Sequence, residues 1–176
     1  EIFQEGLQIR TVKLVKRGRL DDEIVRMIRH NVRFPDLTFG DMQAQLSACE
    51  VIVRRFGDLL TKYSWTTINA CITAIWDQSE AVVRNFIARL PKGRFVAESF
   101  LDDDGIDPNR TLPIKVAVTI ESDAIENDFT GTAPQTRGPM NSGASGGFAA
   151  ARVAFKSVIA SELPANDGAF RPLKVK

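Results

Sequence analysis

Apolar positions change their period along the chain, and each change marks an element. Ile9 to Val15 reads as a short extended stretch, followed by a turn at Lys16-Arg17-Gly18-Arg19. Leu20 to His30 reads as a helix, with Asp21, Asp22 and Glu23 supplying an N-cap and an acidic first turn. Ile24, Met27 and Ile28 give it one apolar stripe, and Pro35 bars its continuation. Gly40-Asp41 then opens a long helix to about Tyr63. Met42, Cys49, Ile52, Val53, Phe56, Leu60 and Tyr63 recur in it at helical spacing. Ser64 can cap a third helix from Trp65 to Leu90, whose predicted inner side carries Ile68, Ile72, Ile75, Val83, Phe86 and Leu90. Pro91 and Gly93 end it. Two long amphipathic helices with almost no loop between them predict an antiparallel hairpin over about 41–90.

At Gly93 the period changes from helical to alternating. Arg94 to Leu101 reads as a strand and Asp102-Asp103-Asp104-Gly105 as a turn. From Leu112 to Glu121, the residues Ile114, Val116, Val118 and Ile120 alternate with Lys115, Ala117, Thr119 and Glu121, as in a strand with one buried face. Ile125 to Thr130 returns as a hairpin partner. A loop rich in Gly, Ser, Pro and Asn covers Gly131 to Gly147, and a helix follows from about Phe148 to Leu163. Its apolar positions are Phe148, Ala151, Phe155, Val158 and Ile159. The Asn166-Asp167-Gly168 turn precedes a last strand. The predicted fold is α+β: the helical hairpin, then a small, mainly antiparallel sheet with one packed helix. The organisation reads as a mainly helical segment, 1–92, and an α/β segment, 93–176.

Composition narrows the class. The 176 residues include 23 Lys+Arg and 22 Asp+Glu, a formal charge of +1, and this balance argues against a protein built to coat nucleic acid or an anionic membrane. With 44% apolar and 26% charged residues the chain is globular in composition. No apolar run approaches the ~18 residues of a membrane span. Two cysteines, Cys49 and Cys71, make neither a zinc spacing nor a disulfide scaffold, so a reducing cytoplasm is the expected compartment. The single histidine, His30, argues against a His-rich metal site in this chain. The first residue is Glu1, and the last ones alternate like a strand, so the chain reads as a piece of a longer polypeptide.

Candidate chemistry is sparse. Asp102, Asp103 and Asp104 offer oxygen ligands to a divalent cation, but consecutive residues cannot all face one ion. A solvated turn in which the carboxylates accept local N–H groups is the expected reading. Asn141 to Gly147 leads into a helix start, where N–H groups and the helix dipole suit an anion, although the string is not a P-loop. Arg33 either clamps an anion bidentately or pairs with Asp41 to fix its loop. His30 reads as a helix-end residue, Cys49 and Cys71 as small buried core residues, and Trp65 and Trp76 as packing within the hairpin.

An ordered series of strings carries a resemblance. They are Gln4-Glu5-Gly6-Leu7, Val12 to Val15, Asn31-Val32-Arg33-Phe34-Pro35, Gly40 to Gln45, Leu101 to Gly105, Asp128 to Thr132, Gln135 with Gly138 to Asn141, and Asn166 to Pro172. Together they resemble the hydantoinase B / 5-oxoprolinase family, with its B-type N-methylhydantoinase subunits and its relatives among acetone and acetophenone carboxylases. Departures occur at Arg10-Thr11, where two prolines are usual, and at Ser47-Ala48-Cys49. The resemblance implies a B-type subunit of a cytoplasmic hetero-oligomer. An A-type ATP-binding subunit or domain would use ATP and Mg to phosphorylate the oxygen of a cyclic amide or ketone. The B-type subunit would complete hydrolysis, or carboxylation, on the activated intermediate. A further divalent metal would be held by parts of the subunit outside this chain, and no metal ligand is assigned within it. Under this reading Arg33, Asp41 and Asn141 are the candidate catalytic residues, and Ser142, Gly143, Gly146 and Gly147 the candidate phosphate cradle. Asp41 would orient Arg33, and Asp103 either holds a cation or shapes its turn. A non-catalytic scaffold or subunit-contact role is the remaining alternative. No nucleic-acid or membrane partner is expected.

Overall fold

A computed structural model describes residues 8–176, so the Gln4 to Leu7 string lies outside the described residues. By packing the chain divides into two compact units, one ending at Trp65 and one beginning at Thr66.

The first unit opens with two short paired strands, β1 (Val15–Lys16) and β2 (Arg19–Leu20). They are antiparallel, with Lys16 opposite Arg19. Arg17 and Gly18 between them have φ of 51° and 75°, the left-handed pair of a two-residue hairpin turn. Helix α1 (Asp22–His30) starts as its acidic residues predict: the Asp21 carboxylate accepts from the N–H groups of Glu23 and Ile24. Helix α2 spans Pro35–Lys62 and so begins five residues before the predicted Gly40. Pro35 at the first position has its φ preset and lacks the N–H that would go unpaired there, which makes it a helix start as well as a barrier to α1. Arg29 and Asp36 join α1 to α2 at 2.5 Å.

None of the described residues up to Trp65 is buried. Leu37, Ile52 and Val53 are 66%, 65% and 72% exposed. Cys49 is exposed, as is Cys71 further on, which corrects the expectation of buried core cysteines. Trp65 is also exposed and meets Phe56 edge-on, with ring centroids 6.2 Å apart.

The second unit holds α3 (Trp65–Ala88, from Thr66 on), β3 (Gly93–Leu101), β4 (Leu112–Glu121), β5 (Ala124–Asp128), α4 (Ala144–Val158), α5 (Asp167–Phe170) and β6 (Leu173–Val175). The composition change at Gly93 is thus a change from helix to strand, whereas packing divides the chain at Trp65. Helices α2 and α3, predicted as one hairpin, fall on either side of that division. The sheet order is β3-β4-β5-β6, with β3, β4 and β5 antiparallel and β6 parallel to β5. The α+β class holds. The parallel last pair follows from the long crossover through α4 and α5, since a tight turn can join only antiparallel neighbours.

The core joins Val83 and Ile87 of α3, Ile125 of β5, Phe155 of α4 with Ile159 just beyond it, Ala169 of α5 and Leu173 of β6. Full burial of Ile87 contributes about 1.5–3 kcal/mol. The inner face of α3 is the predicted one in part: Ile68 and Val83 are buried and Leu90 packs against the core, while Ile75 and Phe86 are exposed and Ser79 and Glu80 turn inward. These two polar side chains have partners on the α5 turn, so a period count over apolar residues alone places the edges of the face wrongly. On α4, Ala151 and Phe155 are buried as predicted, while Phe148 and Val158 are exposed.

Candidate functional site

Two loops at one end of the sheet form a joined structure. In the first, Asp103 Oδ1 accepts from the Gly105 N–H at 2.7 Å, and Asp104 Oδ1 accepts from Ile106 at 2.9 Å and Asp107 at 2.7 Å. These are the local turn bonds expected of consecutive aspartates. Asp104 is buried, and the N–H groups of Asp107 and Ile106 hold its carboxyl below the usual carboxylate range. The second loop lies directly against this turn, since a Cβ on Gly138 would stand 1.6 Å from the Asp104 carbonyl oxygen. Only glycine permits that approach.

The second loop is pinned at both ends. At its start Asp128 accepts from the hydroxyl and the N–H of Thr130, which lower its pKa to about 2. Thr132 then bonds the backbone of Lys115 in both directions at 3.1 Å and fastens the loop to β4. At its far end Asn141 is the clamp. Its Oδ1 accepts from the Thr136 N–H at 2.8 Å, and its Nδ2 donates to the carbonyls of Thr136 and Gly138 at 3.0 and 2.8 Å. Asn141, a candidate catalytic group by sequence, thus has its amide committed to folding the loop.

Helix α4 begins at Ala144, four residues before the predicted Phe148, because Gly146 and Gly147 are accommodated within its first turn. Their N–H groups donate to the Gly143 carbonyl at 2.9 and 3.3 Å. Gly143 is the N-cap, and no side chain caps this helix start. The Ser142 hydroxyl lies beside it, and a Cβ on Gly146 would come within 2.2 Å of that oxygen. The segment Ser142 to Gly147 is therefore an uncapped helix start flanked by a hydroxyl, where the first N–H groups, those of Ala144 and Ser145, can meet an anion.

Arg33 and Asp41 lie in the first unit, Arg33 between α1 and α2 and Asp41 in the second turn of α2. Both are exposed, and among the described residues neither forms an ion pair, so Asp41 does not orient Arg33. Asp36 takes the neighbouring Arg29 instead. His30 ends α1 with Nδ1 2.8 Å from the Arg26 carbonyl, a helix-end contact. Among the described residues no three His, Cys, Asp or Glu side chains are grouped to hold a metal ion.

The Asn166 to Pro172 string has a structural role that period and composition do not reveal. Asn166 caps α5 by accepting from Ala169 and donates to Ser79 Oγ at 2.8 Å. Gly168 meets α3 so closely that a Cβ would lie 2.2 Å from the Trp76 carbonyl oxygen. The Arg171 guanidinium bonds Asp77 at 2.8 Å and Glu80 at 2.9 Å and stacks over Trp76, 5.6 Å from its centroid. Arg171, then Arg84, hold the Glu80 carboxyl below its ordinary range. Trp76 therefore packs against the α5 turn. The legible signal was Ser79-Glu80, a polar pair interrupting an apolar stripe.

A family model described as Hydantoinase B/oxoprolinase matches residues 1–176. The B-type subunit of a D-/L-hydantoinase from Pseudomonas sp. (strain NS671) is 31% identical over 99% of this chain and 31% of its own length. The crystal structure of the ATP-dependent caprolactamase from Pseudomonas jessenii superposes on 100% of this chain and 30% of its own, with TM-score 0.84 and 26% identity. The nucleotide-free acetone carboxylase structure covers 97% of this chain and 24% of its own, with TM-score 0.78 and 13% identity, a likeness of fold. The chain thus spans about a third or less of these relatives.

Proposed function

Because the chain belongs to the hydantoinase B/oxoprolinase family, we propose that it is part of the B-type component of an ATP-dependent cyclic-amide hydrolase, which opens a lactam or hydantoin ring. The observation that carries this reading is the match along the entire chain to an ATP-dependent caprolactamase. An unactivated amide is a poor electrophile. Transfer of a phosphoryl group from ATP to the amide oxygen, made by an A-type subunit with Mg, gives an activated carbon. Water adds there, the ring carbon–nitrogen bond breaks, and hydrolysis of the resulting acyl phosphate releases phosphate and a carboxylate. The B-type subunit must then bind a phosphorylated, anionic intermediate and stabilise charge as it develops.

In this proposal the uncapped start of α4 receives the phosphate, with the Gly143, Gly146 and Gly147 backbone close to it and Ser142 donating its hydroxyl. Asn141 holds the loop in shape. Arg33, in the first unit, is a separate anion-capable group, and Asp41 is a candidate residue of that same unit. The two cysteines, both free, accord with a cytoplasmic setting, and among the described residues no helix is long and apolar enough to cross a membrane.

The test uses the complete B-type subunit with its A-type partner. ATP hydrolysis is measured with hydantoin, 5-oxoproline, caprolactam and small ketones. Stimulation by a cyclic amide supports the proposal. Stimulation only by a ketone with bicarbonate replaces it with the carboxylase reading. Ser142→Ala and Arg33→Ala are each expected to lower turnover about 10- to 100-fold with assembly intact. Unchanged turnover in both makes this segment a scaffold.

A further inference from the structure

We propose that β3 is an interior strand of the complete protein, paired along its outer edge with another strand of the same polypeptide from outside residues 1–176. In the sheet order β3 stands at an edge, bonded on one side to β4 only. It is nine residues long, and every one of them is exposed. Natural edge strands are kept short or broken by proline or a bulge, because a long open edge recruits other chains. β3 has no such protection. Its register with β4 runs unbroken from Gly93 opposite Ile120 to Leu101 opposite Leu112, and β3 itself contains no proline. The other edge strand, β6, has three residues.

Side-chain chemistry points the same way. A strand that meets water on one face alternates apolar with polar, whereas a strand covered on both faces is apolar on both. On β3 one face carries Phe95, Ala97 and Leu101 with the small polar Ser99, and the opposite face carries Val96 and Phe100 between the charged Arg94 and Glu98. Phe95, Val96 and Phe100 are 50%, 64% and 56% exposed. On that second face Glu98 already pairs with Lys115 at 3.0 Å, while Arg94 has no ion-pair partner among the described residues. The added strand is therefore expected to be rich in β-branched or aromatic residues and to set an acidic group against Arg94. The occupant is taken to be in cis because the chain spans 31% and 30% of the two relatives above, so the greater part of such a polypeptide is available to supply it. Pairing of β3 in this way does not depend on the reaction.

The test is hydrogen exchange of the complete polypeptide, read by mass spectrometry on peptides covering 93–101. In an edge strand alternate amides face outward and exchange freely. In an interior strand both sets are bonded. The expected result is that the outward set is slowed at least roughly tenfold against unprotected amides, unchanged on dilution. Free exchange of half the β3 amides overturns the proposal, and so does protection lost on dilution, which would mean that a second copy covers the edge. Val96→Lys with Phe100→Lys gives an independent reading: loss of β3 protection supports the proposal, and full protection with normal assembly overturns it.

Discussion

Up to Trp65 and from Thr66 onward, the molecule solves one problem in two ways. Both units are built on a long amphipathic helix, 28 residues in α2 and 24 in α3. Among the described residues, all eleven buried hydrophobic side chains lie after Trp65. Helix α3 has a sheet, a second helix and the α5 turn to press against, and Val83 and Ile87 near its end are fully buried. Helix α2 carries nearly as many apolar residues and buries none. Periodicity builds a helix because its hydrogen bonds are local. Burial needs a partner surface, and an amphipathic stripe does not state which surface that is.

The sharpest way to break this comparison is to jam the contact that gives α3 its partner. Gly168→Val places a Cβ within 2.2–2.6 Å of the Trp76 backbone, where nothing flexible can yield. The expected loss is about 3 kcal/mol or more, read by urea unfolding followed through tryptophan fluorescence. Next in size is Ile87→Ala, which opens the core and is expected to cost about 2–5 kcal/mol, while Ile52→Ala on α2 stays within about 0.5 kcal/mol. Equal costs at the two positions would end the distinction between the units.

Arg171→Ala removes the bonds to Asp77 and Glu80 together with the stacking on Trp76, and a smaller fall in melting temperature is expected. Lysine should not restore it, because one ammonium lacks the planar face that stacks there.

The smallest effect belongs to Asp128. Its folded pKa of about 2 lies below its ordinary 3.8, so it favours the folded state fully above the ordinary value and loses that contribution as pH falls from about 4 to 2. Thermal melts of Asp128→Asn should lie below the parent at neutral pH and converge with it near pH 2. A constant gap across that range would remove the Thr130 contacts from the account.

Much of the fold was legible. β4 has the bounds its alternation predicts, α1 is capped by the predicted Asp21, and the Asp103-Asp104 turn uses its carboxylates on local N–H groups. The Asn141 to Gly147 string was legible as a loop leading into a helix start, but not the bonds that fold it. Asn141 has the residue type of an anion ligand, yet its amide folds the loop, and only the positions of Thr136 and Gly138 reveal that. Arg33 and Asp41 are eight positions apart and suggested an ion pair, but α2 begins at Pro35 and carries Asp41 into its second turn.

Short-range physics, already present in the order of residues, determined where helices and strands begin, which turns bend on Asp or Gly, and which chains this one is kin to. Tertiary structure alone decided which stripe of α3 faces inward, why Ser79 and Glu80 lie on it, and that β6 runs parallel to β5. Each of those outcomes depends on a group scores of residues away, such as Arg171 or Asn166, whose free energy of contact exists only after the chain has brought the two together.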